Sequence, residues 1–422
     1  MFLSKITLKK KLLIACLLAN AMDFYNFTLC GVYITVLSKL YFPSNSEFSS
    51  LLGGIFAFSA AFLTRPIGAF VFGYIGDKYG RKQALTFSIF LAGVPTLIIA
   101  FLPTYTSLGV VAPCILLFCR MLQGICTGGG YNGIGIFILE HLRIRRGLIS
   151  GLLSGSCVIG ALLTTISAVI VNNYQEFEHG WRIPFFLGAG IVFISLYIKK
   201  IAKETDDFVT KKSIKSLPIV AVIKNHPKQY LLAIATGALN GLLCYTLFGF
   251  LNIYLSQYIG VKLVSSLFYS LFGLFSFMSA CLLFGQLYDL NNSRHPMRHS
   301  ALVAMSTSCL AFYILQNGDP FSIIMGQILL GVGVGAFVGP CHAFLQKQFS
   351  PEVRYTGIAS GFSIGIAISG STNILFMTYV LQKFDFKMAP AVGIFIATCL
   401  WLIAHKKMNL KRKRIHLSVQ EN

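Results

Sequence analysis

The chain has 422 residues, 55% of them hydrophobic and only 12% charged. A globular domain carries about 25% charged residues, so this composition, with a mean hydropathy of +0.71, excludes a soluble enzyme or binding domain. The net charge of +21 does not indicate nucleic acid, because the basic residues form short clusters between apolar runs and no basic stripe interleaved with aromatics occurs.

A membrane-spanning helix needs about 20 predominantly apolar residues. By that rule twelve spans are expected, at 12–39, 49–75, 83–102, 108–140, 147–171, 183–199, 229–256, 262–288, 299–316, 320–346, 356–381 and 388–405. Lys9-Lys10-Lys11 before an apolar run and Ala19-Asn20-Ala21 imitates a signal peptide, but the run continues to Leu40, so it reads as an uncleaved first span. The expected fold class is all-α integral membrane, with two pseudo-symmetric six-helix halves at 1–199 and 229–406. A polar, Lys-rich linker at 200–228 separates them, and 407–422 form a tail.

Lys and Arg gather at the N-terminus, in the links after spans 2, 4, 6, 8 and 10, and in the tail with Lys411-Arg412-Lys413-Arg414. The opposite links hold only Lys39, Arg182, Lys262, Lys383 and Lys387. The bias puts both termini in the cytoplasm, with the basic tail facing lipid. The eleven Cys are odd in number and form no C-x-x-C pair, which argues against a disulfide framework or zinc site.

The stretch Arg65 to Lys82, RPIGAFVFGYIGDKYGRK, interrupts the apolar runs. A span ends at Gly73-Tyr74-Ile75-Gly76-Asp77, a basic turn Lys78-Tyr79-Gly80-Arg81-Lys82 follows, and the next span begins at Gln83. The pattern has an echo half a chain later. Gly285-x-x-x-Asp289 follows span 8 with a looser turn to Arg294, and Arg146-Gly147 before span 5 matches Arg354-Tyr355-Thr356-Gly357 before span 11. Such spacing is expected of parallel six-helix repeats around a midplane site.

Ionisable groups within spans are costly and by default functional. They are Asp23, Arg65, Arg120, Glu140 and His342. Asp23, Asn26, Phe27 and Cys30 share one helical face, as do Arg120, Gln123, Gly124, Thr127 and Tyr131. Gly128-Gly129-Gly130 would admit another backbone or a ligand. Asp23 and Arg120 are the expected ion pair, since an unpaired buried charge costs far more than a paired one; the pair either serves a substrate and proton pathway or only fixes helix register. Arg65 is a gate, structural or ligand residue, and Glu140 lies within reach of Arg145 or Arg146 in a gate network. His342 follows Gly339-Pro340, where the helix is expected to break, and is either a core residue or a proton or substrate residue. Asn240, Asn252, Gln327 and Asn373 are further polar wall candidates. The absence of a G-x-x-x-x-G-K-[ST] loop argues against ATP hydrolysis, and neither a nucleophile elbow nor metal-ligand spacing points to an enzyme.

The loop G-x-x-x-D-(R/K)-x-G-R-(R/K) resembles the signature of the major facilitator transporters. Asp23-Phe24-Tyr25-Asn26-Phe27, Arg65-Pro66-Ile67-Gly68, Arg120-Met121-Leu122-Gln123-Gly124 with Gly128-Gly129, Gly180-Trp181-Arg182-Ile183-Pro184-Phe185-Phe186 and Val353-Arg354-Tyr355-Thr356-Gly357 extend the resemblance to the metabolite:proton symporter group. That group carries proline, glycine betaine, shikimate, citrate or 2-oxoglutarate. The resemblance implies a cytoplasmic gate at Arg65, Gly73, Asp77, Gly80, Arg81, Glu140, Arg146, Asp289 and Arg354. It implies a substrate and proton pathway at Asp23, Asn26, Arg120, Gln123, Tyr131 and His342.

Three acids of the group pattern are replaced, by Asn26, Gly130 and Ser154. The remaining cavity, Asp23 with Arg120 and Arg65, favours a carboxylate, while Phe24, Tyr25 and Tyr131 offer cation–π contacts. The expectation is a secondary transporter for a small carboxylate-bearing metabolite of proline/betaine type, driven by a proton gradient without a cofactor. The alternatives are an organic-acid transporter, an uncoupled facilitator or exchanger, and a transport-inactive membrane sensor. Its partners would be substrate, protons and lipid, not nucleic acid, and it would work as a monomer in a bacterial inner membrane.

Overall fold

The computed structural model describes residues 2–44, 46–173, 179–211, 216–290, 296–384 and 386–420. Arg294 lies outside the described residues, as do the side chains of Asn373 and of Lys411 to Arg414. The described residues form helices and no strands, as expected where only internally hydrogen-bonded backbone can face lipid.

The long helices are α1 (Phe2–Val32, continued by Ile34–Tyr41), α2 (Glu47–Lys78), α3 (Arg81–Phe101), α4 (Val111–His141), α5 (Arg146–Asn173) and α6 (Arg182–Ile201). They are followed by α7 (Pro227–Gln257), α8 (Leu263–Leu290), α9 (Pro296–Leu315), α10 (Pro320–Gln346), α11 (Arg354–Phe384) and α12 (Ala389–Gln420). Ten are long and apolar enough to cross a membrane; α9 and α11 stand at the other two expected positions.

Two details differ from the sequence reading. Helix α2 runs on through Asp77 to Lys78, and α3 already begins at Arg81, so the basic turn shrinks to Tyr79 and Gly80. Gly80 makes this tight link with φ of 131°, a conformation that a Cβ would strain. Second, α7 contains a π-turn at Thr246–Phe250 that no periodicity announced. The expected break in α10 is present at Gly339 and Pro340.

The chain forms two compact units. The first comprises Met1–Arg143, Ser156–Pro218 and Arg354–Ser360; the second comprises Ile144–Gly155, Ile219–Val353 and Gly361–Asn422. Within the first, α2 and α4 approach backbone to backbone: a Cβ on Gly124 would overlap the carbonyl of Ala61, and one on Gly128 that of Arg65. A core of Tyr25, Leu29, Tyr33, Tyr41, Ile99, Leu116, Trp181 and Phe185 fills one end of this unit. Arg182 closes that end by donating to the carbonyls of Ala100 at 2.7 Å and Leu102 at 2.9 Å.

Within the second unit, α8 and α10 repeat the arrangement. Gly331 meets the carbonyl of Gly273, and Gly335 that of Phe277. Four residues before Gly124 stands Arg120, and four before Gly331 stands Gln327. Arg65 has Phe277 as its counterpart. Arg65 and Arg120 therefore have uncharged counterparts in the second unit.

Candidate functional site

Two clusters of the first unit gather most of the candidate residues. The first is built on Asp77 near the end of α2. Its carboxylate accepts the backbone N–H groups of Tyr355 at 3.1 Å and Thr356 at 2.8 Å, capping the start of α11. A helix N-terminus leaves these N–H groups without intrahelical partners and carries partial positive charge, so a carboxylate fits it on both counts. Gly73 permits the approach, since a Cβ there would lie 2.9 Å from the Thr356 Cα.

Arg81 is fully buried and donates to Asp77 at 2.7 Å and to the Gly76 carbonyl at 2.6 Å. Its Nε lies 3.6 Å from Glu140. Glu140, also buried, receives Arg354 at 2.7 Å and the Thr205 hydroxyl at 2.6 Å. Its partners are thus Arg354, Arg81 and Thr205, rather than the Arg145 or Arg146 next to it in sequence. Both neighbours belong to the second unit, where Arg146 stands near Lys347 and Tyr288.

The linker supplies residues that sequence reasoning missed. Glu204 accepts the backbone N–H of Arg81 at 3.1 Å and of Lys82 at 3.2 Å, capping α3. Asp207 bridges Arg354 at 2.5 Å and Arg143 at 2.7 Å, and Lys211 donates to the Asp77 carbonyl. One signal was available: Glu204, Asp206 and Asp207 are the only acids in the Lys-rich 200–228 segment.

The second unit has a simpler version of the same device. Asp289 accepts the N–H groups of Gly147 at 2.7 Å and Leu148 at 2.9 Å, capping α5. Here Gln348, six residues before Arg354, takes the place that Glu140 holds six residues before Arg146. The two aspartate caps are alike; the ion network is confined to the first unit among the described residues.

The other cluster lies deeper, around Asp23. Among the described residues Asp23 has no cation within ion-pair distance; the guanidinium whose charge bears on it is that of Arg65, not Arg120. This corrects the expected Asp23–Arg120 pair. Arg65 also lies over the rings of Phe27 at 4.5 Å and Phe62 at 5.0 Å. Arg120 turns away to donate to Gln123 Oε1 at 2.6 Å and, at 3.4 Å, to the Phe58 carbonyl; Gln123 in turn donates to Thr96 at 2.8 Å. Arg120 is 1% exposed and has no carboxylate within ion-pair distance among the described residues. A small cavity lined by Cys30, Gly54, Phe58, Leu116 and Arg120 adjoins it.

Asn26 does not share the surroundings of Asp23; it donates to the Gly188 carbonyl at 3.1 Å and so joins α1 to α6. Tyr25 likewise points into the core, its hydroxyl donating to the Pro184 carbonyl at 2.9 Å, which removes it as a cation–π wall. Gly130 faces Asp23: a Cβ there would lie 3.9 Å from Asp23 Oδ2, in ordinary contact, at the position where the group pattern has an acid. Tyr131 is half-buried on α4. His342 belongs to the second unit, its backbone N–H bonded to Ser150 Oγ at 3.2 Å and its ring 5.6 Å from that of Phe362.

Comparison with known proteins agrees with this architecture. Residues 13–372 match the family profile described as Major Facilitator Superfamily. The proline/betaine transporter of Salmonella typhimurium is 29% identical over 411 residues, covering 93% of this chain and 82% of that one. The glycine betaine/proline/ectoine/pipecolic acid transporter OusA of Dickeya dadantii is 29% identical over 387 residues, covering 86% and 76%. Among solved structures, the proton:xylose symporter XylE bound to 6-bromo-6-deoxy-D-glucose superposes with a TM-score of 0.69 at 13% identity, over 95% of both chains. The human organic anion transporter MFSD10 superposes with a TM-score of 0.69 at 15% identity, over 94% of this chain and 98% of that one. At these identities the structures speak for the fold alone.

Proposed function

The chain belongs to the Major Facilitator Superfamily and is a multi-pass membrane transporter of a small molecule, and within that class we propose that it carries a small carboxylate-bearing osmolyte of the proline/betaine type, coupled to protons. The observation that carries the reading is the charge balance of the deeper cluster. One carboxylate, Asp23, lies within the electrostatic reach of Arg65, while Arg120 is buried without a carboxylate partner among the described residues. A buried guanidinium without a counter-ion is costly, and a substrate carboxylate meets it with the strongest kind of hydrogen bond.

Asp23 is the proposed proton carrier. Protonation would remove the negative charge that bears on Arg65, and deprotonation would restore it. Arg120 with Gln123 is the proposed anion contact, with Tyr131 and His342 along the pathway. The Asp77 and Asp289 caps, with Gly80, Arg81, Glu140, Arg146 and Arg354, are the proposed gate. The relatives named for proline and betaine support the osmolyte class. The Lys and Arg bias supports cytoplasmic termini, and the relatives' bacterial sources support a bacterial inner membrane. The protein is proposed to act as a monomer.

An organic acid such as 2-oxoglutarate or citrate is the second reading, favoured by the excess of guanidinium over carboxylate. Uptake of labelled proline, glycine betaine, 2-oxoglutarate and citrate into proteoliposomes, with and without an inside-alkaline gradient, tests both. Gradient-stimulated proline or glycine betaine uptake is expected. Stimulated uptake of a di- or tricarboxylate alone would favour the second reading, and flux indifferent to the gradient would refute coupling. Binding without flux would point to a membrane sensor.

A further inference from the structure

The second unit contains a polar group without a purpose in the packing. Gln327, on α10, is fully buried, and neither its Nε2 nor its Oε1 has a hydrogen-bond partner. Leaving such groups unsatisfied is expensive, and a Leu or Met of similar volume would fill the same space without that cost. The position is also the one that Arg120 holds in the first unit, four residues ahead of the glycine at which the two helix backbones touch.

The surroundings of Gln327 are equally unusual. Opposite it, α8 carries Gly273; a Cβ there would lie 2.8 Å from Gln327 Oε1 and 3.3 Å from Leu247 Cδ1. Leu247 belongs to the π-turn Thr246–Phe250 of α7, and the next residue, Phe248, sets its ring edge-on to Phe277 at 5.5 Å. The amide oxygen and a side chain of the single irregular turn in α7 thus meet at the same glycine. A π-turn holds one residue more than the α-helical turn it replaces, is rare, and is frequently found at functional sites. Rewinding it to α would rotate Leu247 and Phe248 off Gly273 and Phe277.

We propose that Gln327 is a substrate-binding residue of the second unit, covered by the Thr246–Phe250 turn in the present conformation and uncovered when that turn rewinds, and that it takes an amino-acid-type zwitterion. The amide offers one donor and one acceptor side by side. Nε2 would donate to the carboxylate, and Oε1 would accept from an N–H of the substrate, as on the secondary ammonium of proline. Glycine betaine has no N–H and would use only the donor half. A site that hydrogen-bonds a substrate group discriminates strongly against an analogue lacking it. The inference rests on the transporter reading above and adds the residue that would separate imino acids from quaternary ammonium compounds.

The test pairs Gln327→Leu with Gln327→Cys in the full chain. Gln327→Leu should keep or raise the melting temperature, because it removes two unsatisfied polar atoms. It should also raise the half-saturating proline concentration at least tenfold, and that of glycine betaine by less. Unchanged proline affinity, or an equal loss for both, would overturn the proposal. If the wild-type protein takes up neither compound, the osmolyte reading fails, and Gln327→Cys decides this inference separately. Its introduced thiol should react with a membrane-impermeant maleimide above the wild-type background, mapped by peptide mass. No reaction under either direction of pH gradient would show that the site never opens.

Discussion

Asp77 and Thr356 are 279 positions apart in sequence and are joined by a 2.8 Å hydrogen bond from the Thr356 N–H to Asp77 Oδ2. The same carboxylate holds Arg81, which is fully buried. Asp289 performs only the capping half of this task, on Gly147 and Leu148. Asp77→Ala should therefore cost more than Asp289→Ala. Removing one partner of a buried pair costs about 3–5 kcal/mol, whereas losing a cap costs about 0.5–2 kcal/mol. Thermal unfolding in detergent compares the two directly, and equal losses would mean that Arg81 finds its whole counter-charge in Glu140.

The linker predicts its own experiment. Glu204 caps α3, and Lys211 returns to the end of α2. Glu204→Ala should loosen this segment and hasten tryptic cleavage after Lys203 or Lys211 several-fold, with the helices left intact. An unchanged cleavage rate would show that Asp207, through Arg354 and Arg143, holds the linker alone.

The reassignment of the Asp23 partner is tested by a double-mutant cycle. Asp23→Asn and Arg65→Gln should couple by at least about 1 kcal/mol, because neighbours in one charge network are not additive. Asp23→Asn and Arg120→Gln should combine almost additively. Melting temperatures of the two single-partner cycles decide the matter, and the reverse pattern would restore Arg120 as the ion-pair partner.

Close helix contact gives the fourth expectation. Gly128→Val would drive a branched side chain into the Arg65 carbonyl, and overpacking of this kind costs about 1–3 kcal/mol or more. Gly130→Ala, facing only Ser88 and Asp23 at 3.8 and 3.9 Å, should be tolerated. Yields of folded protein from size-exclusion chromatography separate these two substitutions.

Much of the fold is legible in the sequence because the membrane imposes length and apolarity on each span and basic residues on alternate links. The repeat of Gly73-x-x-x-Asp77 in Gly285-x-x-x-Asp289 is likewise legible, and the structure makes each of its aspartates a helix cap. Side-chain partnership is less legible. Asp23, Arg65 and Arg120 sit on three helices, and spacing within one helix says which face a residue occupies, not which neighbour it meets. Asn26 looked like a cavity residue by its place beside Asp23, yet it bonds a carbonyl on α6. The linker acids were overlooked because a polar, Lys-rich segment reads as a solvated connection, although Glu204 and Asp207 fold back onto buried charge. The π-turn at Thr246–Phe250 leaves no mark in an apolar run whose hydrophobicity is the same in either winding.

The central claim is that Asp23 couples proton movement to transport of a carboxylate-bearing osmolyte, and one comparison tests it most directly. Asp23→Asn and wild-type protein, reconstituted side by side, are assayed for gradient-driven accumulation and for exchange of labelled against unlabelled proline at equal pH. The account predicts that Asp23→Asn abolishes accumulation above equilibrium while exchange persists. Full gradient-driven accumulation by Asp23→Asn would contradict it.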